Sequence, residues 1–181
     1  MTGIDVLRAA LHDQLLDQAL HLAVKAPHRP LQASVRRSIS ASYYALFHFL
    51  VRESAGAHAG QGRRWRAHRD LLGRTFKHGE MAEASKAFLR GWARLPLGVQ
   101  RTIPDSRLHP GVVQVADTFV KLQEARHAAD YDTACRFARE TAVSHARSVR
   151  TAIRAWPSPA KEPSARAYLA CLLCWLRVVA R

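Results

Sequence analysis

The sequence of residues 31–55, LQASVRRSISASYYALFHFLVRESA, indicates the fold class of this chain. Apolar side chains recur in it every three or four residues, the spacing that places them on one face of an α-helix: Val35, Ile39, Tyr43, Phe47 and Leu50. From residue 43 to residue 51 the segment is apolar on most sides, as is typical of a helix at the centre of a bundle. The pattern predicts a central helix that ends near residue 55, where three glycines follow: Gly56, Gly60 and Gly62.

Helical spacing continues on both sides of this segment, and no stretch shows the apolar/polar alternation that marks a strand. Further helices are predicted at residues 4–25, 67–76, 80–92, 111–127, 133–156 and 164–180, with a loop at 95–109. In the first of these helices a single apolar stripe is expected to be buried: Leu7, Leu11, Leu15, Ala19 and Leu22. Asp130 or Asp132 is a suitable N-cap for the helix at 133–156, whose buried side is expected to hold Phe137, Thr141, Ser148 and Ala152.

These elements predict an all-α protein, an up-and-down helical bundle of four core helices with short helices in a basic insertion and an apolar C-terminal helix. A length of 181 residues suits one domain, so residues 1–181 are predicted to form a single domain with its core at 4–156. The helix at 164–180 follows a proline-rich linker and is apolar on nearly every side. We therefore expect either a tightly docked C-terminal helix or a homodimer.

Composition narrows the class of partner. Lys and Arg number 28 against 14 for Asp and Glu, a formal net charge of +14, which attracts polyanions and places nucleic acid first among expected partners. An apolar share of 48% excludes a disordered basic tail. Three cysteines exclude a disulfide framework, the start of the chain lacks an export signal, and no apolar run reaches the roughly 20 residues of a bilayer span, so a cytoplasmic protein without a membrane segment is predicted.

Two groups of arginines are candidates for phosphate contact. The helix predicted at 133–156 places five of them in one narrow sector: Arg136, Arg139, Arg147, Arg150 and Arg154. The alternative is an ordinary solvated face. The second group surrounds Trp65, on which a base could stack: Arg63, Arg64, Arg66, Arg69 and Arg74. Its alternative is a surface loop whose tryptophan covers the core.

Motifs for other chemistries are missing from the sequence. Cys171 and Cys174 form a C-x-x-C pair inside an apolar helix, without a second pair or a nearby histidine to complete a tetrahedral metal site. No Gly-x-Ser-x-Gly elbow and no glycine-rich phosphate loop followed by Lys-Ser/Thr is present. No metal and no cofactor is therefore predicted.

Two motifs in this order resemble the HEPN superfamily. They are residues 36–48, RRSISASYYALFH, and residues 126–132, RHAADYD, which resemble the R-x-A-Y-Y-A-x-F helix and the R-x-x-x-D-Y corner of small bacterial HEPN proteins. Residues 68–72 and 76–79 resemble the segment that connects the motifs in that group. The resemblance covers roughly residues 31–156.

The resemblance implies a polar cleft between the second helix and this corner, and dimers that bring two corners together. Active HEPN ribonucleases cut RNA without a metal, using an arginine and a following histidine. Non-catalytic members bind nucleotides or nucleic acid, or pair with a minimal nucleotidyltransferase. Applied to this sequence, the resemblance implies four catalytic candidates: Arg126, His127, Asp130 and Tyr131. It implies three residues that line the cleft: Tyr44, His48 and His68.

Physical reasoning on the same residues leaves an alternative open. Arg37, Tyr44 and His48 share one side of the central helix, and buried polar groups need partners. Asp130 could pair with Arg37 or with Arg126, which would make the corner a structural salt bridge rather than a ligand site.

Three functions follow from these observations. The leading hypothesis is a HEPN-like protein that binds RNA or a nucleotide in a toxin–antitoxin or defence setting, with Arg37, Arg126 and the arginines of 133–156 as phosphate contacts. The second is a metal-independent ribonuclease. The third is a non-catalytic adaptor that binds a protein through its C-terminal helix. Arg126 can act as a cation in RNA cleavage, but Asp130 is a poor base beside it, so little or no ribonuclease activity is expected.

Overall fold

The fold is all-helical in the computed structural model, which describes residues 10–25 and 31–180. The α-helices in these ranges are α1 (Leu11–Val24), α2 (Gln32–Ala59), α3 (Arg66–Gly73), α4 (His78–Leu89), α5 (Leu97–Gln100), α6 (Pro110–Tyr131), α7 (Arg139–Ala155) and α8 (Pro163–Val179). Single 3-10 turns lie at Arg63–Trp65 and Trp92–Arg94. The prediction of an all-α helical bundle is confirmed. None of the described helices is both long and apolar enough to cross a membrane.

The chain forms two compact units. The first comprises Met1–Phe49 and Lys121–Arg154, and the second comprises Leu50–Val120 and Ala155–Arg181. Helices α2 and α6 each contribute residues to both units. The single domain expected over residues 1–181 stays a prediction.

The core of the first unit is built from small and branched side chains. Ala23 of α1, Val35 and Ile39 of α2, Ala129 of α6 and Ala142 of α7 form one buried cluster. In the same unit the Ser38 hydroxyl donates to the carbonyl of Ala19 at 2.7 Å, so the buried hydroxyl is satisfied. The apolar face predicted for the central helix is buried as expected: Val35, Ile39, Tyr43, Phe47 and Leu50.

The second unit is organised around α4 and α8. The rings of Phe88 and Tyr168 meet edge to face with their centroids 5.0 Å apart. The hydroxyl of Tyr168 lies 2.7 Å from that of Ser85, and Ser54 donates to the carbonyl of Leu169. The expected docking of the apolar C-terminal helix is confirmed, because α8 packs against α4. The homodimer stays a prediction.

Helix α1 differs from its prediction in start and in face. It begins at Leu11 after an extended Ala10, whereas residues 4–9, including Leu7, lie outside the described residues. Leu11 is 53% exposed, and the buried side chains are His12, Leu16, Ala19 and Ala23. The buried face is therefore turned away from the predicted leucine stripe, with Ala19 common to both, and it places the His12 ring 5.3 Å from that of Phe49.

The segment between α6 and α7 also differs. Helix α6 extends to Tyr131 rather than residue 127, and α7 begins at Arg139 rather than residue 133. Asp132 does accept hydrogen bonds from the backbone N–H groups of Ala134 and Cys135, at 2.9 and 3.1 Å. These bonds form a local turn instead of opening a helix, since Arg36 on α2 binds the carbonyls of Asp132 and Cys135.

The buried side of α7 is another correction. Thr141 and Ser148, expected inside, are exposed, and Phe137 precedes the helix. The residues that α7 buries are Ala142, Ala146, Val149 and Ala152. The shorter helix also leaves Arg136 outside α7, so the predicted five-arginine helical sector has four members.

Candidate functional site

An ion pair within the last turns of α6 lies at the centre of the candidate site. Arg126 Nε lies 2.6 Å from Asp130 Oδ2, at the i, i+4 spacing that aligns two side chains on one helix face. Their side chains are only 20% and 21% exposed. The guanidinium also donates through Nη2 to the hydroxyl of Tyr44 on α2, at 3.2 Å. Arg126 therefore links the two helices that carry the quoted motifs.

The second carboxylate oxygen of Asp130 is also used. The hydroxyl of Ser40, a buried residue of α2, donates to Asp130 Oδ1 at 2.5 Å. One turn earlier on α2, Arg36 donates to the carbonyl of Ala129 at 2.8 Å. Because Arg36, Ser40 and Tyr44 recur every four residues, they share the side of α2 that meets this end of α6.

Three tyrosine rings surround the Arg126 guanidinium. Its Cζ lies 5.9 Å from the ring centroid of Tyr43 and 5.6 Å from the centroids of Tyr44 and Tyr131. These distances suit cation–π attraction. The aromatic groups therefore hold the cation from several sides while Asp130 supplies its counter-charge.

The electrostatics of the site keep the arginine charged. Burial alone would lower the pKa of Arg126, but Tyr44, Asp130 and Tyr131 together outweigh it and raise the pKa above its usual value. Burial also raises the pKa of Tyr43, although Arg126 opposes this shift, so the phenol is neutral at pH 7. The Arg126 guanidinium thus stays charged beside the Asp130 carboxylate.

The predicted catalytic residues are brought together, but with different roles. Arg126 and Asp130 form the ion pair, and Tyr131, 64% exposed, adds an aromatic ring. His127 is exposed, and its ring lies 5.0 Å from that of Tyr131. The imidazole therefore packs on a neighbouring phenol at the surface.

The predicted cleft residues are distributed differently. Tyr44 belongs to the network, and the ring of His48 lies 6.4 Å from the ring of Tyr44. Burial lowers the pKa of His48, so this half-buried imidazole is neutral at pH 7. His68 lies in the second unit, where its ring is 5.3 Å from that of Trp65.

The alternative left open for Asp130 has a clear outcome. Its partner is Arg126, and Arg37 is exposed on α2. Sequence reasoning missed Arg36 and Ser40 as members of the network. The signal that could have found them is their four-residue spacing from Tyr44, which puts all three on one helix face.

Four arginines follow one side of α7 within a sector of about 80° at 3.6 residues per turn: Arg139, Arg147, Arg150 and Arg154. Arg139 lies 3.4 Å from Glu140, and Arg150 lies 3.9 Å from Asp17 of α1. Asp13 and Asp17 also line a small cleft of about 290 Å³ beside Arg150 and Arg154. Aspartates of α1 thus border one edge of this arginine face.

The cysteines are part of the second unit's packing. Burial raises the pKa of the Cys171 thiol to about 12, so it is a protonated core side chain. The thiol of Cys174 donates to the carbonyl of Ala170. In the ranges that the structure describes, no group of three or more His, Cys, Asp or Glu side chains could hold a metal ion.

The contacts determine what the cluster at α2 and α6 can do chemically. Both carboxylate oxygens of Asp130 are engaged, so an incoming phosphate would have to displace this residue to reach Arg126 Nε. His127 and Tyr131 are exposed at the edge of the cluster. No family model, curated protein or solved structure matches the chain.

Proposed function

We propose that this protein binds RNA without cutting it, and that the arginine face of α7 supplies the phosphate contacts. The observation that carries the proposal is the alignment of Arg147, Arg150 and Arg154, all exposed, on one side of a helix whose opposite surface is buried. Such a row can follow a phosphate backbone, because arginine offers a planar fork of N–H donors to phosphate oxygens.

Charge supports the same proposal. The chain as a whole carries a formal net charge of +14, which favours association with a polyanion at low and moderate salt. Among the residues that the structure describes, no carboxylate pairs with Arg147 or Arg154. These two guanidinium groups can therefore bind phosphate without first breaking an ion pair.

The geometry of Arg126 favours binding over cleavage. Metal-independent cleavage of RNA needs a base for the 2′-hydroxyl proton and a cation for the charged phosphorane. Arg126 already neutralises Asp130, and His127 packs on Tyr131, four residues further along the helix. The corner therefore serves best as a structural clasp between α2 and α6.

The resemblance to HEPN proteins adds support, because non-catalytic members of that superfamily bind nucleotides or nucleic acid. The toxin–antitoxin or defence setting, the nucleotidyltransferase partner, the homodimer and the cytoplasmic location belong to this proposal as predictions from the sequence.

Fluorescence anisotropy of a labelled RNA with the full chain tests the proposal. We expect measurable affinity at low salt and a linear fall of the logarithm of affinity with the logarithm of salt concentration. A protein that binds no RNA at low salt, or whose affinity does not depend on salt, would overturn it.

A further inference from the structure

A second basic element lies in the other compact unit, in residues 60–74, which we name the arginine arm. It contains the 3-10 turn Arg63–Trp65 and helix α3, and neither of these has a buried residue. Five arginines and one aspartate give it a net charge of +4: Arg63, Arg64, Arg66, Arg69, Arg74 and Asp70. Because α3 has no fully buried residue, packing stabilises it little, and its basic composition favours an external partner.

One arginine fixes the internal geometry of the arm, and another has only a weak partner. Arg69 donates through Nη1 to the carbonyls of Gly60 and Gly62, both at 2.9 Å. Arg66 has only a loose contact with Asp70, 3.9 Å apart, with side chains 82% and 65% exposed. Such an exposed pair is weak, so Arg66 can exchange it for a phosphate.

Trp65 is held against the backbone of the arm. A Cβ atom at Gly60 would lie 3.1 Å from Cδ1 of Trp65, so a larger residue there would push the indole back by a few tenths of an ångström. Gly60 also has a φ of +89°, a conformation that suits glycine. The indole is half-buried and lies directly against the turn at Gly60.

The contacts of the indole are ones that a nucleic-acid base can replace. The guanidinium of Arg64 lies over the Trp65 ring, with Cζ 5.1 Å from the centroid. The ring of His68 meets the indole at 5.3 Å and 74°. An exposed cation–π contact is weaker than the stacking of a base on an aromatic ring. A base can therefore take the place of Arg64, which is then free to bind the adjoining phosphate.

We propose that the arginine arm binds single-stranded RNA by stacking a base on Trp65, while Arg63, Arg64 and Arg66 contact the phosphates. This inference rests on the proposed RNA binding and names its substrate class. A duplex keeps its bases paired and stacked, so it offers phosphates but no free base face. The arm is therefore expected to bind single strands more tightly than duplexes. The arginine face of α7 contacts the phosphates of either form.

The test uses the full chain with a labelled oligouridylate of about 12 nucleotides and a duplex of the same length. Trp65→Ala is expected to weaken binding of the single strand roughly 5- to 100-fold and binding of the duplex less than about twofold. Addition of the single strand should quench tryptophan fluorescence, and Trp65→Phe should abolish that quenching because the other indoles lie elsewhere: Trp92, Trp156 and Trp175.

A matched pair of double variants separates the arm from general charge. Arg63→Ala with Arg66→Ala removes two exposed arginines of the arm, and Arg90→Ala with Arg94→Ala removes two exposed arginines outside it. The first pair should weaken single-strand binding at least several-fold more than the second. Circular dichroism of each variant should match that of the parent protein.

The outcomes distinguish this inference from the proposed function. Three results would show that the arm is not a single-strand site although RNA binds. They are an equal effect of Trp65→Ala on single strand and duplex, an unchanged tryptophan signal, and equal effects of the two double variants. In each case the proposed function stands. If neither form of RNA binds, the proposed function fails and this inference fails with it.

Discussion

Arg126 Nε and Asp130 Oδ2 lie 2.6 Å apart on successive turns of α6, and Ser40 of α2 donates to the other oxygen of the same carboxylate. Both side chains are mostly covered, so neither charge is well solvated. In such a pair, loss of one partner leaves the other buried without its counter-charge. The pair is therefore a sensitive point for the stability of the first unit.

The first prediction concerns this pair. Asp130→Asn removes the charge and keeps the shape, and we expect it to lower the free energy of unfolding by about 1–3 kcal/mol, because Arg126 stays charged and partly buried. Urea denaturation followed by circular dichroism measures this loss. Glu83→Gln is the matched control, since Glu83 pairs with Lys86 at 3.0 Å on the exposed surface of α4.

The control should change stability by no more than about 0.5 kcal/mol. Equal losses for Asp130→Asn and Glu83→Gln would show that burial adds nothing to the Arg126–Asp130 pair.

The second prediction concerns a close contact within the second unit. At Gly111, in the first turn of α6, a Cβ atom would lie 2.0 Å from the carbonyl oxygen of Ala155. Because that neighbour is backbone and cannot move aside, Gly111→Ala should cost about 2 kcal/mol or more. Gly79→Ala is the control, because Gly79 is helical in α4 and a Cβ there meets nothing within 4 Å.

Gly79→Ala should be neutral or stabilising by up to about 1 kcal/mol. Thermal unfolding of both variants provides the comparison, and a Gly111→Ala protein as stable as Gly79→Ala would contradict the contact.

The third prediction is a pH dependence. Glu162 is the N-cap of α8, and its carboxylate accepts from both the hydroxyl and the backbone N–H of Ser164. The hydrogen bond from the Ser164 side chain is the largest of the effects that together lower the pKa of Glu162 from its usual 4.5. A lowered pKa in the folded state means that the stabilisation is complete above 4.5 and is lost as pH falls through the folded-state value.

Glu162→Gln should therefore reduce stability at pH 7, and the difference from the parent protein should shrink as the pH falls below about 4.5. Urea denaturation at several pH values gives this difference directly. A difference that is the same at pH 7 and at pH 3 would mean that the charge of Glu162 contributes nothing.

The sequence predicts a helix of this fold well when the residues of that helix alone determine its bounds and its buried face. The apolar spacing from Val35 to Leu50 predicts the buried face of α2 correctly, and the composition of residues 164–180 predicts a packed helix. Both elements are long and strongly periodic, so neighbouring residues suffice. In α1 the buried face is His12, Leu16, Ala19 and Ala23 rather than the predicted leucine stripe, so packing against other helices decides which face is buried.

The structure of residues 132–138, in contrast, depends on residues that are distant in the sequence. Gln32 donates to the carbonyl of Phe137 and accepts from its N–H, across 105 residues of sequence. Arg36 binds the carbonyls of Asp132 and Cys135 from the same helix. These long-range bonds satisfy backbone groups that a helix would otherwise satisfy itself, so local propensity could not predict the late start of α7.

The sequence predicts the residues of the candidate site on α6 better than those on α2. The motif at residues 126–132 contains both Arg126 and Asp130. Reasoning about buried charge left two possible partners for Asp130, namely Arg37 and Arg126. The choice of Arg126 depends on how α2 and α6 face each other in the first unit. The same orientation makes Arg36 and Ser40 members of the site, which spacing alone did not single out.

The fourth prediction concerns RNA binding by α7. Arg147→Ala with Arg154→Ala should weaken binding of all RNA sequences alike, and the salt dependence should lose roughly 0.7 unit of slope for each phosphate contact to a single strand. Anisotropy titrations at several salt concentrations measure both quantities. Arg90→Ala with Arg94→Ala removes the same charge from the second unit and should leave the slope closer to that of the parent protein. Identical slopes for the two double variants would show that the α7 face is an ordinary solvated surface that does not bind RNA.

The fifth prediction is that the protein does not cleave RNA. In metal-independent cleavage a histidine beside an arginine suits the proton transfer and the stabilisation of the phosphorane. Here the guanidinium of Arg126 is held by Asp130 and Tyr44, and His127 follows it on the same helix, where one residue turns a side chain by about 100°. Both groups contact the ring of Tyr131, but the guanidinium is already paired with Asp130 and the imidazole packs on the phenol. Single-turnover assays with structured and unstructured RNA in EDTA should therefore show no product above background. His127→Ala is the decisive variant because the side chain is exposed and its loss should leave the fold intact. Robust cutting that disappears in both His127→Ala and Arg126→Ala, with unchanged circular dichroism, would replace the proposed binding function by a ribonuclease.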